Sequence, residues 1–122
     1  MMDQAERHER GTARLAELGD HPGGKAFLER MGEPMASWLV DWVFGDVHSR
    51  GGLSAREREL IILALLTGLG SSDPQVAAHI EALRAIDVSD ADIEEAILQT
   101  APYTGIPRAI NALTVLRTEQ GR

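Results

Sequence analysis

The sequence predicts an all-α fold of about six helices, on three observations. Apolar residues recur at spacings of three and four, the segments that carry them open on capping residues and close on glycine or proline, and the connections are short. The clearest segment is residues 55–68. Ser54 stands where a cap belongs, and Glu57 stands where its carboxylate reaches back to the cap amide. The centre of this helix, Leu60 to Leu66, is apolar on every side, so it should be surrounded by other helices or by a partner subunit. Ser72-Asp73-Pro74 supplies a cap and then a proline whose missing amide does no harm. It opens a helix to about Ile86 with Val76, Ile80 and Leu83 as an apolar stripe. Ser89 and the acidic residues after it open another helix through about Ala101, with Ile93, Ile97 and Leu98 inward. Gly105-Ile106-Pro107 breaks the chain and restarts it as a helix over residues 107–119, with Ile110, Leu113, Val115 and Leu116 as core candidates. Gln120-Gly121-Arg122 then frays. Upstream, Pro34 opens a helix to about Asp46 that is rich in apolar residues, Trp38 and Trp42 among them. A first helix over residues 3–18 is interrupted by Gly11.

With 122 residues, ordinary globular composition and neither an internal repeat nor a long linker, the chain is expected to form one domain over 1–122. A domain of this size leaves apolar helix surface that self-association can hide, so a homo-oligomer is expected. The net charge of −7 and the scarcity of aromatic residues argue against nucleic acid as a partner. The absence of cysteine excludes disulfides, thiolate nucleophiles and thiolate metal sites. The apolar run from Leu60 to Leu66 is far shorter than the roughly 20 residues of a membrane span. The polar start, Met1-Met2-Asp3-Gln4, lacks a signal-peptide apolar region, and a cytoplasmic location is expected by default.

Several motif fragments carry no weight. Gly68-Leu69-Gly70 lacks the third glycine and the preceding strand of a dinucleotide fingerprint, and His79-Ile80-Glu81 lacks the two cysteines of a zinc deaminase. The four histidines show no pair spaced to share a metal, so no metal is expected. Lys25, beside Gly23 and Gly24, reads as a loop residue with nothing to desolvate its amine.

Three sets of polar residues stand out against this background. His79 shares a helical stripe with Val76, Leu83 and Ile86 and should be at least partly buried. Arg58 and Glu59 immediately precede an all-apolar helix centre, and Arg50 ends the segment from Phe44 to Arg50 between two helices. Tyr103 sits in Ala101-Pro102-Tyr103-Thr104-Gly105-Ile106-Pro107, a tight junction whose loop backbone can line a pocket. Each set also has a purely structural reading, as a satisfied core histidine, as ion pairs at helix starts, or as packing across a turn.

Together these residues carry a family resemblance. Phe44-Gly45-Asp46-Val47-His48-Ser49-Arg50, then Leu53-Ser54-Ala55-Arg56-Glu57-Arg58-Glu59-Leu60, then His79, then the stretch from Leu98 to Ala112 resemble the carboxymuconolactone decarboxylase family over roughly residues 34–116. The resemblance implies an AhpD-like helical bundle assembled through a buried helical hairpin into trimers or hexamers, with active sites near subunit contacts. One branch of that family uses a Cys-x-x-Cys pair, where this chain has Ser72 and Gln75, so thiol peroxidase chemistry is lost. The other branch decarboxylates γ-carboxymuconolactone to β-ketoadipate enol-lactone in aromatic catabolism and needs no cofactor. By that resemblance His79 is the proton donor or oxyanion partner, with Tyr103 as a second donor. Arg50 and Arg58 bind carboxylate, and Asp46, His48 and Glu59 complete the substrate-binding set. The chain departs from the family pattern at Phe44, Asp46 and His48, where decarboxylases carry Trp-Gly-Glu-x-Trp-x-Arg, and at Glu59, where they carry serine. A related lactone or small acid, or a non-catalytic oligomer that binds small acids, are the alternatives.

Overall fold

The computed structural model describes residues 2–120, with side chains through Thr118. Among the described residues every regular element is helical, as expected. In chain order they are α1 (Gln4–Glu17), α2 (Lys25–Met31), a short α3 (Met35–Ser37) that continues directly as a π-helix (Trp38–Val47), α4 (Ala55–Leu69), α5 (Asp73–Ala85), α6 (Asp90–Thr104) and α7 (Ile106–Gln120). They group into two compact units, Met1–Ala55 and Arg56–Arg122. Of the fraying expected at the C-terminus, residues 121 and 122 lie outside the described residues, and the backbone of Gln120 is still helical.

In the first unit, α1 lies along the π-helix. Asp3 caps α1 by accepting a hydrogen bond from the Glu6 amide at 2.9 Å. Gly11, expected to interrupt this helix, sits inside it unbroken, because a close approach of two backbones needs its missing side chain. A Cβ at Gly11 would lie 1.8 Å from the Val40 carbonyl oxygen, and one at Gly45 would lie 2.3 Å from the Arg7 carbonyl oxygen. The helix-propensity cost of glycine, about 1 kcal/mol relative to alanine, is offset by this contact. The segment expected as an ordinary helix over 34–46 is π-helical for most of its length, and its wide turn closes with the His48 amide donating to the Val43 carbonyl at 2.8 Å. Val40, Asp41, Phe44, Gly45 and His48 are buried, and Trp38 and Trp42 are more than half exposed. Lys25, expected in a loop, is the first residue of α2, a seven-residue helix too short for its periodicity to show in the sequence.

The second unit is built on one apolar cluster. Leu63 of α4, Val76, Ile80 and Leu83 of α5, Ile93 and Ile97 of α6, and Ala109, Ala112 and Leu116 of α7 are all buried within it. The stripe expected on α5 is the one observed. On α7 the inward row is Ala109, Ala112 and Leu116, whereas Ile110 is outward, and Leu98 of α6 is likewise exposed. Apolar residues on two faces of these helices make both faces plausible from sequence, and the small alanines are what allow α7 to pack closely.

Caps and ties hold the junctions. Ser89 accepts from the Asp92 amide at 3.1 Å, as its cap position predicts. Ser72 makes no such cap, since its hydroxyl donates instead to the Gly70 carbonyl at 3.0 Å. The Arg84 guanidinium grips Asp90 with Nε at 2.8 Å and Nη2 at 3.0 Å, and Glu81 with Nη1 at 2.6 Å, which fastens the end of α5 to the start of α6. Hydrogen bonding to Asp90 is the foremost reason that its pKa is raised above the ordinary arginine value. Helix α6 continues through Pro102 to Thr104, three residues past its expected end, and stops at Gly105, whose φ of 102° favours glycine. Helix α4 buries only the row Glu59, Leu63 and Thr67, and leaves Ile61, Leu65 and Leu69 exposed, so the single chain does not surround its apolar centre. Among the described residues, no helix is long and apolar enough to cross a membrane.

The backbone contact in the first unit predicts that Gly11→Ala lowers the unfolding free energy by about 1–3 kcal/mol or more, as overpacking against unyielding backbone does. Gly51→Ala, where an added Cβ meets nothing within 4 Å, serves as the control. Urea denaturation of the two variants measures the difference.

Candidate functional site

The second unit brings two of the expected site residues together. Glu59 lies on the inward row of α4 and is 0% exposed, and the His79 side chain on α5 is 12% exposed, so the histidine is partly buried as its stripe predicts. His79 Nδ1 stands 2.6 Å from Glu59 Oε1. Taking a carboxylate out of water costs several kcal/mol unless it is hydrogen-bonded, and the imidazole supplies that partner. An ionised carboxylate can only accept. Glu59 therefore holds the proton of a neutral His79 on Nδ1 and leaves Nε2 as the nitrogen that can take a proton from, or return one to, a bound molecule. Arg58, the neighbour of Glu59, is half-buried on the same helix. Tyr103, expected in a loop junction, occupies the last turn of α6 and is 82% exposed, because the helix runs on through Pro102.

The remaining expected site residues belong to the first unit, where α1 supplies partners for Asp46 and His48. Asp46 forms a two-point ion pair with Arg7, at 2.9 Å to Nε and 2.8 Å to Nη2. His48 is buried and stacked on Phe44 with ring centroids 5.2 Å apart. The Arg14 Nη1 lies 2.9 Å from His48 Nδ1 and 2.8 Å from its carbonyl oxygen. A guanidinium has no acceptor, so Nδ1 of His48 must present its lone pair and the ring proton sits on Nε2. Nearby, the buried Asp41 is 2.8 Å from His8 Nδ1. Arg50 is exposed and lines a cavity of about 600 Å³ together with Met2, Arg7, Arg10, Asp46 and Gly51.

The sequence reading missed Arg7, Arg10 and Arg14. The signal was present, since three arginines at spacings of three and four must share one face of a helix. What they faced depended on the π-helix. Among the described residues, no group of three or more His, Asp or Glu side chains is placed to hold a metal ion.

Comparison with known proteins gives a consistent result. The family model described as carboxymuconolactone decarboxylase family matches residues 33–118. The nitrosuccinic acid decarboxylase npaB of Metarhizium robertsii is 30% identical over 82 residues, which cover 67% of this chain and 57% of that protein. The chain thus matches little more than half the length of that relative. The 4-carboxymuconolactone decarboxylase of Acinetobacter baylyi is 26% identical over 115 residues, 92% of this chain and 85% of that protein. An uncharacterised 15.0 kDa protein of Paracoccus denitrificans is 24% identical over 92 residues, 75% of this chain and 69% of that protein.

The buried His48 and the partly buried His79 should carry their protons on opposite ring nitrogens. Long-range proton–nitrogen NMR at about pH 8.5, well above the ordinary histidine pKa, should show His48 protonated on Nε2 and His79 on Nδ1. In Glu59→Gln the preference of His79 should relax, because an amide can also donate. A parent protein with His79 protonated on Nε2 alone would contradict the reading of the Glu59 pair.

Proposed function

Because the chain belongs to the carboxymuconolactone decarboxylase family, we propose that it is a cofactor-independent carboxy-lyase acting on a small acid that carries its own electron sink and a second, retained carboxylate. Membership of the family and two relatives named as decarboxylases support a decarboxylase-like activity. The observation that carries the mechanism is the buried Glu59–His79 pair at 2.6 Å.

The two named relatives point to one chemical class. In γ-carboxymuconolactone the departing carboxylate sits on a ring carbon conjugated through a double bond to the lactone carbonyl. In nitrosuccinic acid one carboxylate sits on the carbon bearing the nitro group. In either acid the bond from carbon to carboxylate breaks, carbon dioxide leaves, and the electron pair passes to an oxygen of the carbonyl or nitro group. A proton then returns to carbon. The protein has to stabilise the developing oxyanion, shelter the leaving carboxylate from water and deliver that proton. His79 is the proton donor or oxyanion partner through Nε2, and Glu59 orients it and balances the charge of its protonated form. Arg50 and Arg58 are candidates for holding the retained carboxylate, because a guanidinium fork binds carboxylate at two points. Asp46 and His48 act through their ties to Arg7 and Arg14, and Tyr103, by its exposure, is the weakest candidate for a second donor.

The enzyme is further read as a homo-oligomer, a trimer or hexamer. Ile61, Leu65 and Leu69 make an apolar row on α4 that is 47%, 61% and 71% exposed, and self-association is the simplest way to cover it.

Incubation with γ-carboxymuconolactone and, separately, with nitrosuccinic acid should release carbon dioxide from at least one of them. His79→Gln should lower kcat by about 100-fold or more, the usual contribution of a positioned acid or base. Full turnover by His79→Gln would remove its role, and no turnover on either acid would hand the function to another small acid or to a binding role. Sedimentation velocity should find the parent protein assembled and Leu65→Glu shifted towards monomer; a monomeric parent would dismiss the oligomer.

A further inference from the structure

Two cavities of the first unit, of about 380 and 330 Å³, share His8, Leu28, Glu29 and Val40 in their lining and so form one groove among α1, α2 and the π-helix. None of the residues that line it is used by the decarboxylase reading. Leu28 and Val40, with Ala36 in the larger cavity and Leu15 in the smaller, give the groove an apolar wall. Its charges are unevenly matched. The larger cavity has two carboxylates, Glu29 and Glu33, and neither lysine nor arginine, while the smaller adds Asp20 and, as the one cation, Lys25. Helices α1 and α2 precede residues 33–118, so His8, Leu28 and Glu29 lie outside the segment that the family model matches.

The polar groups of the groove are acceptors that the protein leaves without donors. Asp41 is buried, and His8 Nδ1 at 2.8 Å is its partner. An ionised carboxylate can only accept, so the proton of a neutral His8 sits on Nδ1, and Nε2 keeps a lone pair outside the pair. The His8 side chain is 64% exposed and lines both cavities, which puts that lone pair within reach of an occupant. Glu33 accepts from the Ser37 amide at 3.3 Å. Among the described residues no hydrogen bond or ion pair engages the Glu29 carboxylate, not even from Lys25 one turn earlier on α2.

This imbalance selects the occupant. A neutral apolar molecule in the groove strips water from Glu29 and puts nothing in its place, and an anion adds repulsion to that cost. A cation with N–H donors restores the lost hydrogen bonds and makes one of them charge-assisted. Among the described residues no three acidic or histidine side chains converge on a metal ion, so the fitting cation is organic. We propose that the groove binds a small primary ammonium compound with an apolar body. Glu29 is its counter-charge, His8 Nε2 accepts a second of its three N–H bonds, and Leu28 and Val40 cover its hydrocarbon. Asp41 positions the His8 ring by holding Nδ1. The site uses neither His79 nor turnover, so failure of the decarboxylase reading leaves it standing, and the reverse holds.

Calorimetric titration of the full chain with hexylamine, hexanol and hexanoate tests the site, because the three share one apolar body and differ in charge. The titrations are run at low ionic strength and about pH 8, where an alkylamine is protonated and an ordinary imidazole is not. Hexylammonium should bind about tenfold or more tightly than either of the others and weaken as sodium chloride is raised. Glu29→Gln, at an exposed position of α2, should weaken hexylammonium by about tenfold and leave hexanol unchanged. In the parent protein hexylammonium should shift the ring nitrogen resonances of His8 and not those of His79, a readout that does not depend on any variant folding. Hexanol or hexanoate binding as tightly as the amine, undiminished binding by a folded Glu29→Gln, or unmoved His8 resonances would each overturn the proposal.

Discussion

The first unit depends on a contact in which two helices touch through bare backbone. Gly11 and Gly45 have no side chains to hold α1 away from the π-helix, and a methyl group at either position would overlap a carbonyl oxygen of the other helix. The polar ties of that unit follow from this approach. Once α1 lies so close, the arginines at positions 7, 10 and 14 meet Asp46, the Ser49 carbonyl and His48 across the seam. The π-helix matters for the same reason. It carries Asp41 and Gly45, with His48 at its C-cap, on the side that meets α1.

The second unit is governed by a different constraint, a carboxylate that the fold removes from water. Glu59 sits one helical turn before Leu63 on the row that faces the core, so folding the apolar cluster also buries the acid. His79 answers it from α5, where its own stripe, Val76 and Leu83, enters the same cluster. Packing thereby does chemical work: it fixes which imidazole nitrogen is tied and which is left over. A carboxylate at position 59 can balance the charge of a protonated His79.

Histidine is put to two opposite uses in the one chain. His48 lies beside a cation that can only donate and so presents a lone pair at Nδ1, while His79 lies beside an acid that accepts. The first is a packed and oriented part of the scaffold. The second has its Nδ1 tied to an acid, which leaves Nε2 outside that pair. Their separate fates explain why residues that stand together in a family motif need not share a role.

Much of the architecture was legible from local rules. The α5 stripe, the Ser89 cap and the break at Gly105 follow from side-chain spacing, hydroxyl geometry and positive φ, all of which act within a few residues. Family resemblance was equally legible, because motif order survives in sequence. Long-range geometry was not. Whether Gly11 breaks a helix or lets another helix approach, whether residues 38–47 wind as α or π, and whether Ile110 or Ala109 faces the core are decided by partners distant in sequence. The pairing of Glu59 with His79 shows the division most sharply. Periodicity alone placed the histidine on a buried stripe, but only the packing of α4 against α5 set a carboxylate 2.6 Å from its Nδ1, because hydrogen bonding depends on distance and direction that no spacing along a chain encodes.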